Sequence, residues 1–307
     1  MPENVRDSDR QLPEGEDVFL DHVGHFVRSV EEARDALIQA GFHTAPVSIQ
    51  TNRAADGTSQ LSGTGNVTVM LESGYIEVLF KTADTALGQE FDDALSRYAG
   101  LHLAAFAVAD AGAKSRALWA AGFHVRPIVN LRRPVETETG VAEAAFTVAR
   151  VERGEMAEGR MQYLTHHSED VVWQTRWLDH ANGAEALLDV VIAVDDVTEA
   201  AERFGRFLDR DPESVTMGQR LPLERGGVLL MERGTFEEEF GPVPQLPFIG
   251  LYGVRVASLA SCAELLAQND LSVETRDNAL LARFPEALGE GAWLFVEREN
   301  ELPWRAP

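Results

Sequence analysis

Residues 18–43 read VFLDHVGHFVRSVEEARDALIQAGFH, and the fold can be predicted from this stretch because its pattern returns 81 residues later. Residues 99–124 read AGLHLAAFAVADAGAKSRALWAAGFH, with the same apolar strand, the same Ala/Leu-rich helix and the same Ala-Gly-Phe-His ending. Ser29 and Asp110 are favourable N-cap residues, and a glycine stands near the end of each helix pattern. The repeat therefore predicts a strand followed by a helix in both places.

Two further copies follow in the second half of the chain. One opens with the apolar run 187–194 and caps its helix at Asp196, and the other opens with 248–256 and caps at Ser258. Two or three strand patterns separated by turn residues follow each helix. Four β-α-β units in 307 residues predict an α+β protein with two paired domains.

Composition limits the class of partner. The formal net charge is -23 and the 27 basic residues form no run, so neither nucleic acid nor an anionic membrane surface is expected as a partner. No apolar stretch approaches the roughly 20 residues needed to span a bilayer. We therefore expect a cytoplasmic protein that binds a small-molecule substrate or ligand. A monomer or loose homodimer is expected, because paired modules within one chain remove one reason to dimerise.

Three segments carry a family resemblance: LDHVGHFVRSVEEA at 20–33, GTGNVTVMLESGYIEVLF at 63–80 and HHSEDVVWQTRWLDHANGA at 166–184. In them the chain resembles the vicinal oxygen chelate superfamily, which includes glyoxalase I, extradiol dioxygenases, fosfomycin-resistance enzymes and bleomycin-binding proteins, and within it the glyoxalase-like branch. The resemblance implies four βαβββ modules that form two glyoxalase-like domains in tandem. It also implies a divalent metal, Zn, Fe, Mn or Ni, inside a half-open barrel.

The repeat and the resemblance together divide the chain, with the Asn182-Gly183 turn signal near the boundary between the domains. The predicted parts are a disordered acidic tail at 1–17, a first domain at 18–167 with modules 18–84 and 99–167, a linker at 168–186, a second, degenerate domain at 187–300 and a tail at 301–307.

The resemblance also implies metal-ligand positions on the first and last strands of each module. In the first module the matching residues are His22, seven residues before Ser29, and Glu77, three residues after Gly74. Imidazole and carboxylate both suit the expected metals. The first module therefore offers two ligands of the expected kinds.

The second module departs from this pattern. Its first-strand position holds Leu103, and the neighbouring His102 would point inward only if a β-bulge shifted the register. Gln162 stands at the position that matches Glu77. In the second domain the corresponding positions hold Asp189 and otherwise apolar residues. That domain is therefore expected to hold no metal and to be structural or a wall of the pocket.

Five residues are candidates for binding the substrate: His166, His167, Trp173, His180 and Arg133. His166 and His167 are also available to complete the metal set. Alternation along a strand puts His166 on the inner face and turns His167 away unless the strand ends before it. Trp173 and His180 belong either to a substrate-covering loop or to an apolar strap between the domains. Arg133 lies either in a solvated loop or where it would bind a carboxylate.

Two functions remain open from the sequence. The first is a metal-dependent lyase, isomerase or dioxygenase acting on a small, vicinally oxygenated metabolite, with the metal as Lewis acid. The second is a protein without catalytic activity that binds a small molecule, as the bleomycin-resistance relatives do. Leu103 and the ligand-poor second domain favour the second function, whereas His22 and Glu77 favour the first.

Overall fold

One order of elements occurs four times in the chain, which the computed structural model describes over residues 10–53 and 59–305. The first module contains β1 (Val18–Phe26), α1 (Val30–Gln39), β2 (Ser48–Arg53), β3 (Ser59–Met70) and β4 (Tyr75–Lys81), and α2 (Ala86–Arg97) follows it. The second contains β5 (Gly100–Val108), α3 (Ala111–Ala120), β6 (Val129–Thr137), β7 (Gly140–Arg150) and β8 (Arg160–His166), followed by α4 (Glu169–Val172). The third contains β9 (Ala184–Val194), α5 (Val197–Leu208), β10 (Glu213–Val215), β11 (Gly218–Pro222) and β12 (Gly227–Glu232), followed by α6 (Arg233–Phe240). The fourth contains β13 (Phe248–Val256), α7 (Leu259–Gln268), β14 (Val273–Arg276), β15 (Ala279–Arg283) and β16 (Ala292–Val296). The predicted α+β fold of four βαβββ modules is confirmed.

The first helix of each module begins at the capping residue that the sequence predicts. The Ser29 hydroxyl accepts a hydrogen bond from the backbone N–H of Glu32 at 3.2 Å, and the Asp110 carboxylate accepts one from Ala113 at 2.9 Å. Asp196 and Ser258 cap α5 and α7 in the same way. Each cap satisfies a backbone donor that the first turn of a helix leaves without a partner.

The strands of the described residues form one sheet that contains two half-barrels. In the first domain, β1 and β5 pair antiparallel, and each is flanked by the parallel last strand of its own module, β4 or β8. In the second domain, β9 and β13 are flanked likewise by β12 and β16. The two halves join where Leu101 on β5 pairs with Ile249 on β13. Within residues 10–53 and 59–305, none of the helices has the length and apolar composition of a transmembrane segment.

Two rows of opposed residues cross the concave face of the first domain. The first row runs from β7 to β4 through Arg150, Gln162, Ala105, His22 and Tyr75. The second row runs from β8 to β4 through Arg160, Leu103, Gly24 and Glu77. Each row thus carries an arginine from the second module at one end and a polar residue from the first module at the other.

Side-chain hydrogen bonds also connect the two domains. His25 on β1 is fully buried, and its Nδ1–H donates to the carbonyl of Leu288 at 3.1 Å. Its Nε2 accepts from the Tyr252 hydroxyl at 3.1 Å, and that hydroxyl accepts in turn from Trp293 Nε1 at 2.6 Å. The second domain therefore satisfies both ring nitrogens of this first-domain residue.

Several boundaries differ from the sequence prediction. Residues 168–186 are not a plain linker, because α4 lies within them, β9 begins at Ala184, and Trp173 and His180 are buried. The residues at 301–305 are not a tail, because Leu302 and Trp304 are buried in the second domain; residues 306–307 lie outside the described residues. Of the predicted tail at 1–17, residues 1–9 also lie outside them. In residues 10–17, Arg10 accepts at its carbonyl from Arg225 at 2.8 Å, so this part is held against the second domain.

Candidate active site

Four buried side chains of the first domain form a continuous polar cluster, called here the acid–imidazole cluster: Asp21, His22, Glu77 and His166. Asp21 lies at its centre, with one carboxylate oxygen 2.7 Å from His22 Nδ1 and the other 2.8 Å from His166 Nε2. On the far side of the ring, His22 Nε2 lies 3.6 Å from Glu77 Oε2. Glu77 accepts a hydrogen bond at its other oxygen from Asn66 Nδ2 at 2.5 Å.

A local irregularity of β1 allows neighbouring residues to reach the same site. Consecutive side chains of a regular strand point to opposite faces. The register between β1 and β5 shifts between Leu20 and His22, however, so Asp21 is the extra residue of a bulge. Asp21 and His22 therefore both contribute to the cluster.

The charge of Asp21 fixes how the two imidazoles are oriented. Burial alone would raise the pKa of the Asp21 carboxyl, but the adjacent His166 and His22 outweigh it and hold that pKa well below its ordinary value. An ionised carboxylate only accepts hydrogen bonds, so His22 donates from Nδ1 and His166 donates from Nε2. In the neutral imidazoles, the acceptor nitrogens are then His22 Nε2, which faces Glu77, and His166 Nδ1.

Three buried polar atoms beside the cluster have no hydrogen-bond partner among the described residues: His166 Nδ1, Trp173 Nε1 and Asn66 Oδ1. The indole of Trp173 packs against the His166 ring at 4.8 Å between centroids and against the Tyr75 ring at 6.1 Å. Buried polar atoms are nearly always paired, so such a group of unsatisfied atoms is typical of a ligand-binding or catalytic site.

A cavity of 370 Å³ opens beside the cluster, at the mouth of the first half-barrel. Asn66, Met70, Arg133, Val172 and Trp177 are among the residues that line it. Asn66 connects the cavity to the cluster through its bond to Glu77. Arg133 lies here on strand β6, not in the loop that was one of its two predicted settings.

The second module does not complete the predicted metal set. The Gln162 side-chain oxygen accepts from Arg150 Nε at 2.8 Å. The bulge that His102 needs is present, since the register shifts between Gly24 and His25, opposite Leu103 and Leu101. The His102 ring nevertheless stacks on Tyr98, with its Nε2 2.8 Å from the Tyr98 carbonyl. The prediction that His102 joins His22 and Glu77 is therefore wrong.

Two of the predicted substrate contacts also lie elsewhere. His167 is exposed, with Nε2 2.8 Å from the Thr147 hydroxyl, so it points away from the cluster. His180 accepts from the backbone N–H of His43 at 2.9 Å, and its Nε2 donates to the Met70 carbonyl at 2.8 Å. Burial lowers the pKa of His180 and so favours the neutral form that these two bonds require. His180 is therefore a structural residue of the strap between the domains, whereas Trp173 does contact the cluster.

Asp189 of the second domain has no carboxylate oxygen left for a ligand. Its oxygens accept from Arg220 Nε at 2.8 Å, Trp304 Nε1 at 2.7 Å and Arg305 Nη2 at 2.5 Å. These bonds fix the end of the described chain to the second half-barrel.

The sequence prediction missed Asp21, Asn66 and Arg150. The bulge that turns Asp21 inward has no distinct signal in the sequence, and Asn66 joins the site only through its hydrogen bond to Glu77 on the neighbouring strand. Arg150 is the last residue of β7, where alternation along the strand would have placed it on the inner face.

Comparison with known proteins shows a common fold at low identity. A family model described as a glyoxalase-like domain matches residues 20–208, and no curated protein matches the chain. A hypothetical protein from Staphylococcus aureus shares 10% identity at a TM-score of 0.63, over 91% of this chain and 98% of that one. A mutant 4-hydroxymandelate synthase from Streptomyces coelicolor shares 13% sequence identity with this chain at a TM-score of 0.56. The match covers 94% of this chain and 97% of that one. A xylose isomerase-like TIM barrel/4-hydroxyphenylpyruvate dioxygenase fusion protein shares 10% sequence identity at a TM-score of 0.53. This match covers 91% of this chain and 48% of that one.

Proposed function

This chain belongs to the glyoxalase-like domain family, and we propose that its first domain is a metal-dependent enzyme acting on a small metabolite with two neighbouring oxygens. The observation that carries the proposal is the pair His22 Nε2 and Glu77 Oε2, 3.6 Å apart on the concave face. Each side chain of the pair is held from behind, His22 by Asp21 and Glu77 by Asn66. Such a second set of hydrogen bonds is usual behind metal-binding histidines and carboxylates.

The pair suits one divalent ion. Two ligand atoms with bonds of about 2.1 Å to one ion lie about 3.4 Å apart in tetrahedral geometry, close to the observed separation. Among the described residues no group of three or more His, Cys, Asp or Glu side chains is arranged to hold a metal, so the protein itself would supply two ligands. A Zn, Fe, Mn or Ni ion bound there would act as a Lewis acid toward the substrate oxygens.

The chain's own residues supply proton transfer and exclusion of water. His166 is positioned to accept a proton at Nδ1, because its Nε2–H is held by the Asp21 carboxylate at 2.8 Å. The developing imidazolium would be stabilised by that carboxylate, as in other Asp–His pairs. Trp173 packs over the ring and keeps this part of the site dry.

The first experiment measures metal by mass spectrometry in protein purified without chelators or an affinity tag. We expect near-stoichiometric metal in the wild type and its loss in His22→Ala and in Glu77→Ala, because each variant leaves a single protein ligand. His167→Ala is the matched control, since His167 is an exposed histidine next to His166. Metal absent from the wild type, or unaffected by the first two changes, would contradict the proposal.

Asp21→Asn tests the orienting carboxylate. We expect about 10- to 100-fold weaker metal binding, because an amide neither accepts from both imidazoles nor supplies the negative charge. The measurement is competition with a chromophoric chelator, and Asp35→Asn on the exposed face of α1 is the control. Equal metal affinity in Asp21→Asn and wild type would remove Asp21 from the site.

A metal-free binding protein is the second candidate function. It is favoured by Leu103, which stands where the family resemblance implies a ligand, and by the bond that ties Gln162 to Arg150. Wild-type protein that contains no metal and still binds small molecules in the first half-barrel would support this alternative. For either function we further propose a cytoplasmic monomer or loose homodimer that does not bind nucleic acid, consistent with the net charge of -23.

A further inference from the structure

A second cavity, of 250 Å³, lies at the opposite end of the concave face, between α2, β5 and the connection from β7 to β8. It is called here the arginine pocket, after the five arginines that line it: Arg97, Arg126, Arg150, Arg153 and Arg160. Three carboxylates line it as well: Glu90, Asp93 and Glu152. In a chain of net charge -23, a cavity with more cations than anions in its wall departs from the overall charge.

The three carboxylates are all engaged by other arginines of the wall. Glu90 accepts from Arg126 at 3.0 Å and from Arg160 at 3.2 Å. Asp93 pairs with Arg153 at 2.5 Å, and Glu152 pairs with Arg126 at 3.2 Å. The acidic side chains therefore neutralise only part of the positive charge.

Arg150 has no carboxylate partner among the described residues. Its Nε donates to the neutral side-chain oxygen of Gln162 at 2.8 Å, and its guanidinium faces the cavity. Burial lowers the pKa of Arg150 to about 10, so the group is still protonated at neutral pH. A largely buried charge without a counter-ion is costly, and an anionic ligand would remove that cost.

The arginine pocket and the metal pair lie on one face of the first-domain sheet. Arg150 begins the row that reaches His22, and Arg160 begins the row that reaches Glu77. Three strand spacings of about 4.8 Å separate Arg150 from His22 in the first row and Arg160 from Glu77 in the second, so the backbones at these positions lie roughly 14 Å apart. Gln162, Ala105, Leu103 and Gly24 lie between these positions, and all four are buried.

Electrostatic coupling supports this connection. Burial lowers the pKa of both Arg150 and Arg160, and the Glu77 carboxylate opposes the lowering for each. Glu77 is thus within electrostatic reach of both arginines. The Phe26 ring completes the wall of the pocket, with the Arg160 guanidinium 5.4 Å from its centroid.

We propose that the arginine pocket binds an oxyanion, a carboxylate or a phosphate group, of a small anionic metabolite. The identification of this ligand as the substrate rests on the proposed function, whereas binding of the oxyanion itself does not. The N–H groups of Arg150 that do not bond to Gln162 are available for a bidentate contact with the oxyanion. Arg160 adds positive charge from the neighbouring strand.

Calorimetric titration with oxalate and with inorganic phosphate, at low ionic strength and with a chelator present, tests the proposal. We expect wild-type protein to bind at least one of the two anions and Arg150→Ala to bind it at least 10-fold more weakly. Arg132→Ala is the matched control, because Arg132 is exposed on β6 and paired with Glu143. Arg150→Lys is the second variant if Arg150→Ala does not fold; it keeps the charge, loses the bidentate fork and is expected to bind several-fold more weakly.

No binding of either anion by the wild type, or equal affinity in the wild type and the Arg150 variants, would overturn the proposal. Tighter binding of phosphate would identify a phosphorylated metabolite, and tighter binding of oxalate an organic acid. The same titration of His22→Ala separates the two hypotheses. Anion binding that survives in this variant, in a protein whose wild type contains no metal, would overturn the metal-dependent enzyme and leave the oxyanion site standing.

Discussion

Asp189→Asn is expected to lower the free energy of unfolding by about 3–5 kcal/mol, because it removes one partner from a buried ion-pair network. Asp189 is fully buried and accepts from Arg220, Trp304 and Arg305. Burial would raise the pKa of this carboxyl, but Arg305 and Arg220 outweigh it and lower the pKa to about 2. Asparagine keeps the shape, but it leaves the Arg220 guanidinium without its anion and leaves Arg305 with Glu299 alone.

Urea unfolding followed by tryptophan fluorescence measures this loss. Asp195→Asn, a few residues away at an exposed position, is the control and is expected to stay within about 0.5 kcal/mol of the wild type. A loss of less than about 1 kcal/mol in Asp189→Asn would mean that water reaches Arg220 and Arg305 easily.

The second large effect is a loss of folding stability as the pH falls below about 6.5, a range that begins above the one in which carboxyl groups titrate. Burial lowers the pKa of His25 to about 4, and burial together with Arg97 and Arg160 lowers the pKa of His102 to about 4. In the unfolded chain both return to about 6.5, so the unfolded state binds more protons below that pH. Stability is therefore complete above about pH 6.5 and is lost as the pH falls toward 4. Each histidine contributes about 1.4 kcal/mol per pH unit in this window, or about 4–5 kcal/mol for both between pH 7 and 4.5.

Free energies of unfolding at several pH values between about 7 and 4.5 check this expectation. His25→Gln is expected to remove about half of the slope, whereas His124→Gln, at an exposed position, should leave the slope unchanged. A stability that is constant over this range would show that both histidines titrate normally in the folded protein.

The architecture was predictable because its signals are local. The capping residues Ser29, Asp110, Asp196 and Ser258 and the repeated Ala-Gly-Phe-His endings each set one boundary, and the four copies reinforce one another. Helix α2 was missed because it lies between the two matched stretches, 18–43 and 99–124, where the repeat gives no signal. The end of the chain was missed because burial of Trp304 depends on Asp189, more than a hundred residues away.

The candidate site was predictable only in part. His22 and Glu77 do lie together, since both positions are set by a strand and a turn of one module. Their surroundings depend on register shifts in β1 and β5, which place Asp21 inside and turn His102 toward Tyr98. The role of Arg150 depends on a neutral neighbour, Gln162, and on carboxylates that pair elsewhere, and such an arrangement is a property of the assembled sheet.

The hydrogen bonds of His25 bear on how such a protein can diverge. Domains that meet through a plain linker are readily exchanged between relatives, because few contacts cross the boundary. Here a buried first-domain imidazole has both nitrogens satisfied by Leu288 and Tyr252. A recombinant carrying a foreign second domain would bury His25 without partners unless that domain supplied the same two groups. The two halves are therefore expected to be inherited together, even if only the first retains a site for chemistry.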